Sequence, residues 1–378
     1  MGKLKLAILT NILSPIELPV FQRLSDHFEL LVVLSGIEAN RNTWYELESR
    51  FVGAGIKLRK AWGTTLSRTI RDAEGVLDRR FMHINPGYWS ELVRFRPDAV
   101  ITTQMGFRTL VALLYGAAYR KPVWIWWGGT VHTERSIDPM RKVVRRVISR
   151  LAKRWLSYGQ TSTEYLQSLG VPRAYILELQ HWVDEGTFKN RVPPLLDLEP
   201  RPVLLFVGQM IRRKGVHLLL EAAARLQKTG YRFSLLLVGD GPERNAFCEY
   251  AGNLGLRNAH FYPAQLPERM PAVYRSGDVL VFPTLEDVWG LVVNEALWSG
   301  LPVISSIYAG CTSEIVPPQN WFDPLQADDF DRALRFAIEG RIAPPDLSRL
   351  RTSSEIAESL VSHLMSVLGT REKCFSDA

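Results

Sequence analysis

Two segments in the second half carry residue types suited to holding an anion and a polyhydroxylated ligand. The first is FVGQMIRRKGVHLLLEA. An apolar run ends at Val207, Gly208 permits close backbone approach, and Arg212, Arg213 and Lys214 crowd the loop before a helix expected near Val216. Three cations at the carboxyl end of a parallel strand, beside a helix N-terminus, favour an anion such as phosphate. A solvated basic turn has the same composition. The second segment is FPTLEDVWGLVVNEALWSGLPVISS. Glu286 and Asp287 follow a strand, Gly290 and Leu291 lead into a helix, and Glu295 lies one turn inside it. The amides of Leu291 to Val293 would be unpaired at the helix start and would point at whatever anion sits there. Glu295 in an apolar helix needs polar partners. Sugar hydroxyls would serve, and so would a nearby arginine. Glu286 and Asp287 are also explained as acids favoured by the helix dipole.

The elements that must position these loops are legible as alternating strands and helices. In the first half, LKLAILTNI, FELLVVLSG, DAVITTQ and KPVWIWWGG read as buried parallel strands, with helices over Pro19 to His27 and Arg108 to Arg120. In the second half, PVLLFVGQ, FSLLLVGDG, AHFYPA, DVLVFPT and LPVISS alternate with helices over 216–229, 243–254 and 292–299. This alternation predicts an α/β protein with two Rossmann-like, doubly wound parallel-sheet domains. NRVPPLLDLEPRP (190–202) has four prolines and no period. The expected division is therefore 1–190, a linker at 191–201, a second domain at 202–345, and a C-terminal helix within 346–378. In that last segment Ile356, Leu360, Leu364 and Leu368 recur every four positions, one face of a helix.

The chain has 378 residues, 46 % of them hydrophobic and 22 % charged, which excludes a disordered chain. No apolar run approaches the roughly 18 residues of a membrane span. The start, MGKLKLAILTNIL, reads as a first buried strand rather than a signal peptide. Cys248, Cys311 and Cys374 are scattered, which speaks against a disulfide scaffold or cysteine zinc site and for a reducing compartment. Residues 1–190 hold 27 Lys and Arg against 17 Asp and Glu; the remainder holds 19 against 22. The basic first half points to an anionic partner. Two phosphate-binding signatures are disfavoured. Gly239 and Gly241 follow a strand, but Arg244 stands where a dinucleotide fingerprint needs its third small residue, and no G-x4-G-K-[ST] loop occurs. GDGP is therefore expected to be a structural turn.

Taken together, Pro202 to Val316 resembles the retaining glycosyltransferases of family 4, which have the GT-B fold. The resemblance rests on VGQMIRRKGVHLLLEA, LLLVGDGPE, YRSGDVLVFPT, EDVWGLVVNEAL, SGLPVISS and GCTSEIV. It implies two domains facing across a cleft, with the nucleotide sugar bound mainly by the second and the acceptor mainly by the first. By the same resemblance Lys214 would contact the donor diphosphate. Gly208, Gln209 and Arg213 would border it, Gln209 standing where the family usually has Arg. Arg212 or Arg213 would replace that charge. In an E-x7-E-like pattern Glu295 would hold the nucleotide ribose, and Asp287 would face the donor sugar, with Glu286 its neighbouring alternative. Gly290, Leu291 and Val292 would present amides to phosphate. His132, in WIWWGGTVHTERS, would hydrogen bond to the transferred sugar across the cleft and stabilise charge there. The other reading of His132 is a ring packed beside Trp126 and Trp127. Asp184, in HWVDEGTF, would be structural. No metal and no cofactor beyond the donor substrate is expected.

The implied function is retaining transfer of a hexosyl group from a UDP- or GDP-sugar to a saccharide or lipid-linked saccharide, in polysaccharide or glycan biosynthesis. The alternatives are a non-catalytic nucleotide-sugar-binding protein and a sugar-nucleotide epimerase. MRKVVRRVISRLAKRWLSYG carries seven basic residues from Arg141 to Arg154, with Val144, Val147, Ile148, Leu151 and Trp155 at helical spacing. A basic amphipathic helix over 141–155 would suit an anionic membrane surface. It would equally serve as a core-facing helix with a solvated outer face. Nucleic acid is not an expected partner. The expected location is cytoplasmic, with peripheral contact to the inner membrane face through that helix.

Overall fold

A computed structural model describes residues 2–35, 47–71, 77–135 and 137–376, with the side chains of 67–71, 77–82 and 370–376 left aside. The first domain's strands are β1 (Leu4–Thr10), β2 (Phe28–Leu34), β3 (Lys57–Lys60), β4 (Thr64–Arg71), β5 (Leu77–Ile84), β6 (Ala99–Thr103), β7 (Val123–Trp127), β8 (Trp155–Tyr158) and β9 (Ile176–Leu179). Seven of them form a parallel sheet in the order β3-β2-β1-β6-β7-β8-β9, and β4 and β5 make a separate antiparallel hairpin. Its helices are α1 (Leu18–His27), α2 (Leu47–Gly53), α3 (Gly87–Phe95), α4 (Phe107–Tyr119), α5 (Pro139–Leu151) and α6 (Gly159–Ser168). Helix α7 (Glu185–Lys189) leads into the prolyl connection.

The second sheet has the order β12-β11-β10-β13-β14-β15, all parallel. Its strands are β10 (Val203–Val207), β11 (Ser234–Val238), β12 (Ala259–Tyr262), β13 (Val279–Phe282), β14 (Val303–Ser306) and β15 (Trp321–Phe322). Around it run α8 (Val216–Lys228), α9 (Arg244–Asn253), α10 (Met270–Tyr274), α11 (Leu291–Trp298), α12 (Thr312–Ile315) and α13 (Ala327–Ile338). Strands β7, β10 and β11 are buried at every position, as continuous apolar runs require when helices cover both faces. The connection keeps no helix or strand but packs: Leu195 donates its amide to Ala272 O at 2.9 Å.

Helix α14 (Ser353–Ser376) leaves the second domain and packs on the first, chiefly on α1. Ile356, Leu360 and Leu364 are fully buried there in one cluster with Val20, Phe21 and Leu24. The Trp124 indole donates to His363 Nε2 at 3.0 Å from the same helix.

The basic segment differs from the expectation. Helix α5 ends at Leu151, and Trp155 opens β8, where it is completely buried. Trp155 therefore cannot anchor a membrane, because the sheet needs it as core. Arg145 is also turned inward, paired with Glu134 and lying 4.8 Å over the Trp127 ring. Met140, Val143, Val147 and Leu151 remain exposed along one side of α5. Among the described residues no helix is long and apolar enough to cross a membrane. Cys248 and Cys311 are free thiols; the Cys374 side chain lies outside the described residues.

Candidate functional site

In each sheet the strand order reverses between two neighbours, β1 and β6 in the first and β10 and β13 in the second. Loops at the carboxyl ends of such neighbours turn apart and leave a crevice. The two chemistry-bearing segments are the loops after β10 and β13. They are brought side by side because these strands pair in register, Leu204 with Val279 and Leu205 with Leu280.

Glycines allow the approach. Gly215 has φ 73°, and a Cβ there would overlap the Pro283 carbonyl. Gly290 has φ 102°, and a Cβ would sit 2.5 Å from the Phe282 ring. Gly239, in the GDGP turn, packs its Cα against the Gly208 carbonyl, where a Cβ would overlap, so that turn buttresses the loop after β10.

This packing sets Lys214 Nζ against the carboxylate of Asp287, with the side chains 15 % and 18 % exposed. Arg213 Nη1 donates to Glu286 O at 2.9 Å, and Leu285 N to Arg213 O at 2.9 Å. Asp287 Oδ1 accepts from Trp289 N at 3.3 Å. Burial raises the Glu286 carboxyl above the usual range, against the pull of Arg213. Gly208 is half-buried and packs against Gly239, and Gln209 is exposed. At the start of α11, Val293 N donates to Gly290 O at 2.9 Å. The expected set of unpaired amides from Leu291 to Val293 is thus reduced to Leu291 and Val292, because the helix closes its first turn on Gly290.

Between the domains lies a cleft of 1910 Å³. Leu291 and Glu295 line it, as does Val288 beside Asp287. Among the described residues Glu295 pairs with no arginine; Oε2 accepts from the Tyr274 hydroxyl at 2.5 Å. Burial pushes its carboxyl up to about 7, only partly offset by that hydrogen bond. His132 does not pack on Trp126 or Trp127. Its ring meets Tyr308 of the second domain edge-on at 5.4 Å, and burial, then Arg135, lowers its pKa. Asp184 lines the cleft and accepts from Thr187 Oγ1 at 3.0 Å.

Several cleft residues lie outside the set expected from the sequence. Asn11 and Ile12 after β1, Leu66 and Ile84 of the hairpin, and Tyr158 all line it. Tyr158 stacks on His181 at 4.0 Å, and burial depresses the imidazole to about 3, so that ring is neutral. Aromatic content in WLSYG and QHWVD was the available signal for this floor. Tyr274 was visible as the tyrosine of YRSGDVLVFPT, but its pairing with Glu295 needed the fold.

Residues 190–354 match the family described as Glycosyl transferases group 1. D-inositol 3-phosphate glycosyltransferase of Nocardia farcinica (strain IFM 10152) is 30 % identical over 198 residues, 47 % of this chain and 44 % of that protein. Alpha-D-kanosaminyltransferase of Streptomyces kanamyceticus is 30 % identical over 218 residues, 53 % of this chain and 56 % of that protein. The chain thus spans about half the length of the curated relatives it matches. Among solved structures, Anabaena Alr3699/HepE in complex with UDP superposes with a TM-score of 0.66 at 15 % identity, covering 99 % of this chain and 100 % of that one. Two parallel-sheet domains facing across a cleft are the GT-B fold, and residues 190–354 of the chain are similar to the glycosyl transferases group 1.

Proposed function

We propose that the protein is a retaining glycosyltransferase. It moves a hexosyl group from a UDP- or GDP-sugar to a saccharide or lipid-linked saccharide, in polysaccharide or glycan synthesis. The observation that carries this reading is the pairing of Lys214 with Asp287 at the mouth of two loops, beside a cleft that Glu295 lines. The donor diphosphate would exchange places with Asp287 on Lys214. The freed Asp287 carboxylate would accept hydrogen bonds from the donor sugar, with Glu286 beside it. Glu295 would accept from ribose hydroxyls. As the sugar–phosphate bond breaks, charge develops on the departing diphosphate. Lys214, Arg213 and the Leu291 and Val292 amides would meet it, and no metal ion is needed in this reading. His132 would reach the transferred sugar from the first domain. A closed cleft would exclude water and limit hydrolysis. That Alr3699/HepE, which shares this fold, is solved with UDP supports a nucleotide ligand.

The first domain would hold the acceptor against the Tyr158 and His181 floor. The exposed Met140, Val143, Val147 and Leu151 of α5, interleaved with Arg146 and Arg150, support contact with an anionic membrane surface and a cytoplasmic-face location. The test is transfer from the bound nucleotide sugar to an acceptor panel, with the product anomer read by NMR. Transfer with retained configuration is expected. Donor binding without turnover on any acceptor, or interconversion of free nucleotide sugars, would overturn the reading.

A further inference from the structure

The loop carrying Asp287 rests on the first domain through two glycines. A Cβ on Gly128, after β7, would lie 3.0 Å from Val288 Cγ1 and 2.9 Å from the Tyr158 ring. A Cβ on Gly159, which opens α6, would overlap both the Trp289 ring and the Glu314 carboxylate. Gly159 has φ 74°, a conformation that favours glycine. The first domain therefore meets the loop with bare backbone.

Polar contacts tie the same place. Glu314 Oε1, from the second domain, accepts from Gln160 N at 2.6 Å. A carboxylate thus meets the Gln160 amide and the positive dipole end at the start of α6. Thr161 Oγ1 donates to Gly310 O at 3.3 Å. Segment 308–311, just before Glu314, is laced to the loop through backbone. Asp287 N donates to Tyr308 O at 3.4 Å, Gly310 N to Asp287 O at 3.2 Å, and Cys311 N to Trp289 O at 3.1 Å. None of the roles proposed above uses Glu314, although its motif, GCTSEIV, follows the donor segments directly.

We propose that Glu314 is a positioning residue. By capping α6 across the domain boundary it holds segment 308–311, and through it the loop bearing Asp287 and Gly290, on the seat made by Gly128 and Gly159. Domain docking and the shape of the donor loop are then one event. The consequence for donor binding rests on the reading of Glu286 to Glu295 given above; the seat itself does not.

Hydrogen exchange on the full, ligand-free chain tests the seat. In Glu314→Ala, exchange should accelerate about tenfold or more, at the start of α6 and across 287–291 together, as expected for loss of a charge-assisted hydrogen bond. Glu314→Gln keeps an acceptor oxygen and should restore most of the protection. Gly159→Ala attacks the seat from the other domain and should loosen the same two segments; it decides the matter if Glu314→Ala does not fold. Faster exchange at α6 alone, or a uniform rise over the whole chain, would overturn the proposal. Nucleotide titration adds the consequence. If the wild type binds a nucleoside diphosphate, Glu314→Ala should weaken it about tenfold, with Glu314→Gln between; equal affinities overturn the positioning role. If the wild type binds none, the donor reading fails while the exchange result still decides the seat.

Discussion

Lys214 and Asp287, 73 residues apart in sequence, form a part-buried ion pair between the loops after two adjacent strands. Each charge already has the other as its partner, so a ligand that takes this place must offer each a replacement. A nucleotide sugar does so, with phosphate for the lysine and hydroxyls for the aspartate. The account predicts opposite effects of the two partners on a nucleoside diphosphate lacking its sugar. Lys214→Ala should weaken it by about tenfold or more, whereas Asp287→Asn, which releases the lysine, should leave it unchanged or tighten it. With the complete nucleotide sugar, Asp287→Asn should lower kcat. Calorimetry and steady-state kinetics on the two variants check this.

Glu295 sets a pH dependence. Its carboxyl titrates near 7 in the folded chain, against an ordinary value of 4.5, because burial disfavours the ion. A raised carboxyl pKa contributes stability that is present below 4.5 and is lost as pH rises to about 7. Glu295→Gln cannot ionise, so its melting temperature relative to wild type should climb over that window and level off above it. Thermal melts at several pH values measure the difference; Glu314, raised to about 7 mainly by burial, contributes with the same sign in both proteins. Donor affinity should move the other way, improving toward pH 8, because the ionised carboxylate is the better acceptor for ribose hydroxyls.

The glycine at the start of α11 is required by its surroundings. Gly290→Ala forces a side chain into the left-handed region and against the Phe282 ring. It should cost about 1–3 kcal/mol of stability and reduce donor affinity together. Thermal melts and titration on one preparation test both.

Much of this was legible in the sequence because the strands are continuous apolar runs and the phosphate-type loops follow them. The helix expected from Val216 starts there, and the one expected from 292 starts one residue earlier, at Leu291 just after Gly290. What escaped notice was set by tertiary context. WLSY is a four-residue strand separated from the basic helix by three residues, so helical spacing alone carries Trp155 into that helix, and ILEL, also four residues, is as short. The hairpin segments TTLSRTIR and LDRRFMHI mix polar and apolar residues without strict alternation in the sequence. Glu295 was marked as needing a partner, but Tyr274 reaches it only through the packing of α10 on α11.

Helix α14 should stabilise the domain to which it is not adjacent in sequence. Leu360 is fully buried against the first domain's core, so Leu360→Ala should cost about 2–5 kcal/mol. The loss should appear as earlier unfolding of residues 4–179, with the second sheet retained longer. Denaturant unfolding followed by hydrogen exchange in each domain distinguishes this from uniform destabilisation.

The central claim is that the second domain holds a nucleotide sugar through Lys214 and Glu295. Calorimetric titration of the wild type with UDP, GDP, CDP, ADP and their common sugars, repeated on Lys214→Ala and Glu295→Ala, tests it most directly. The account predicts that one nucleotide binds and that each variant weakens it by at least ~1.4 kcal/mol, or tenfold. Absence of binding by every nucleotide, or affinity unchanged in both variants, would contradict it.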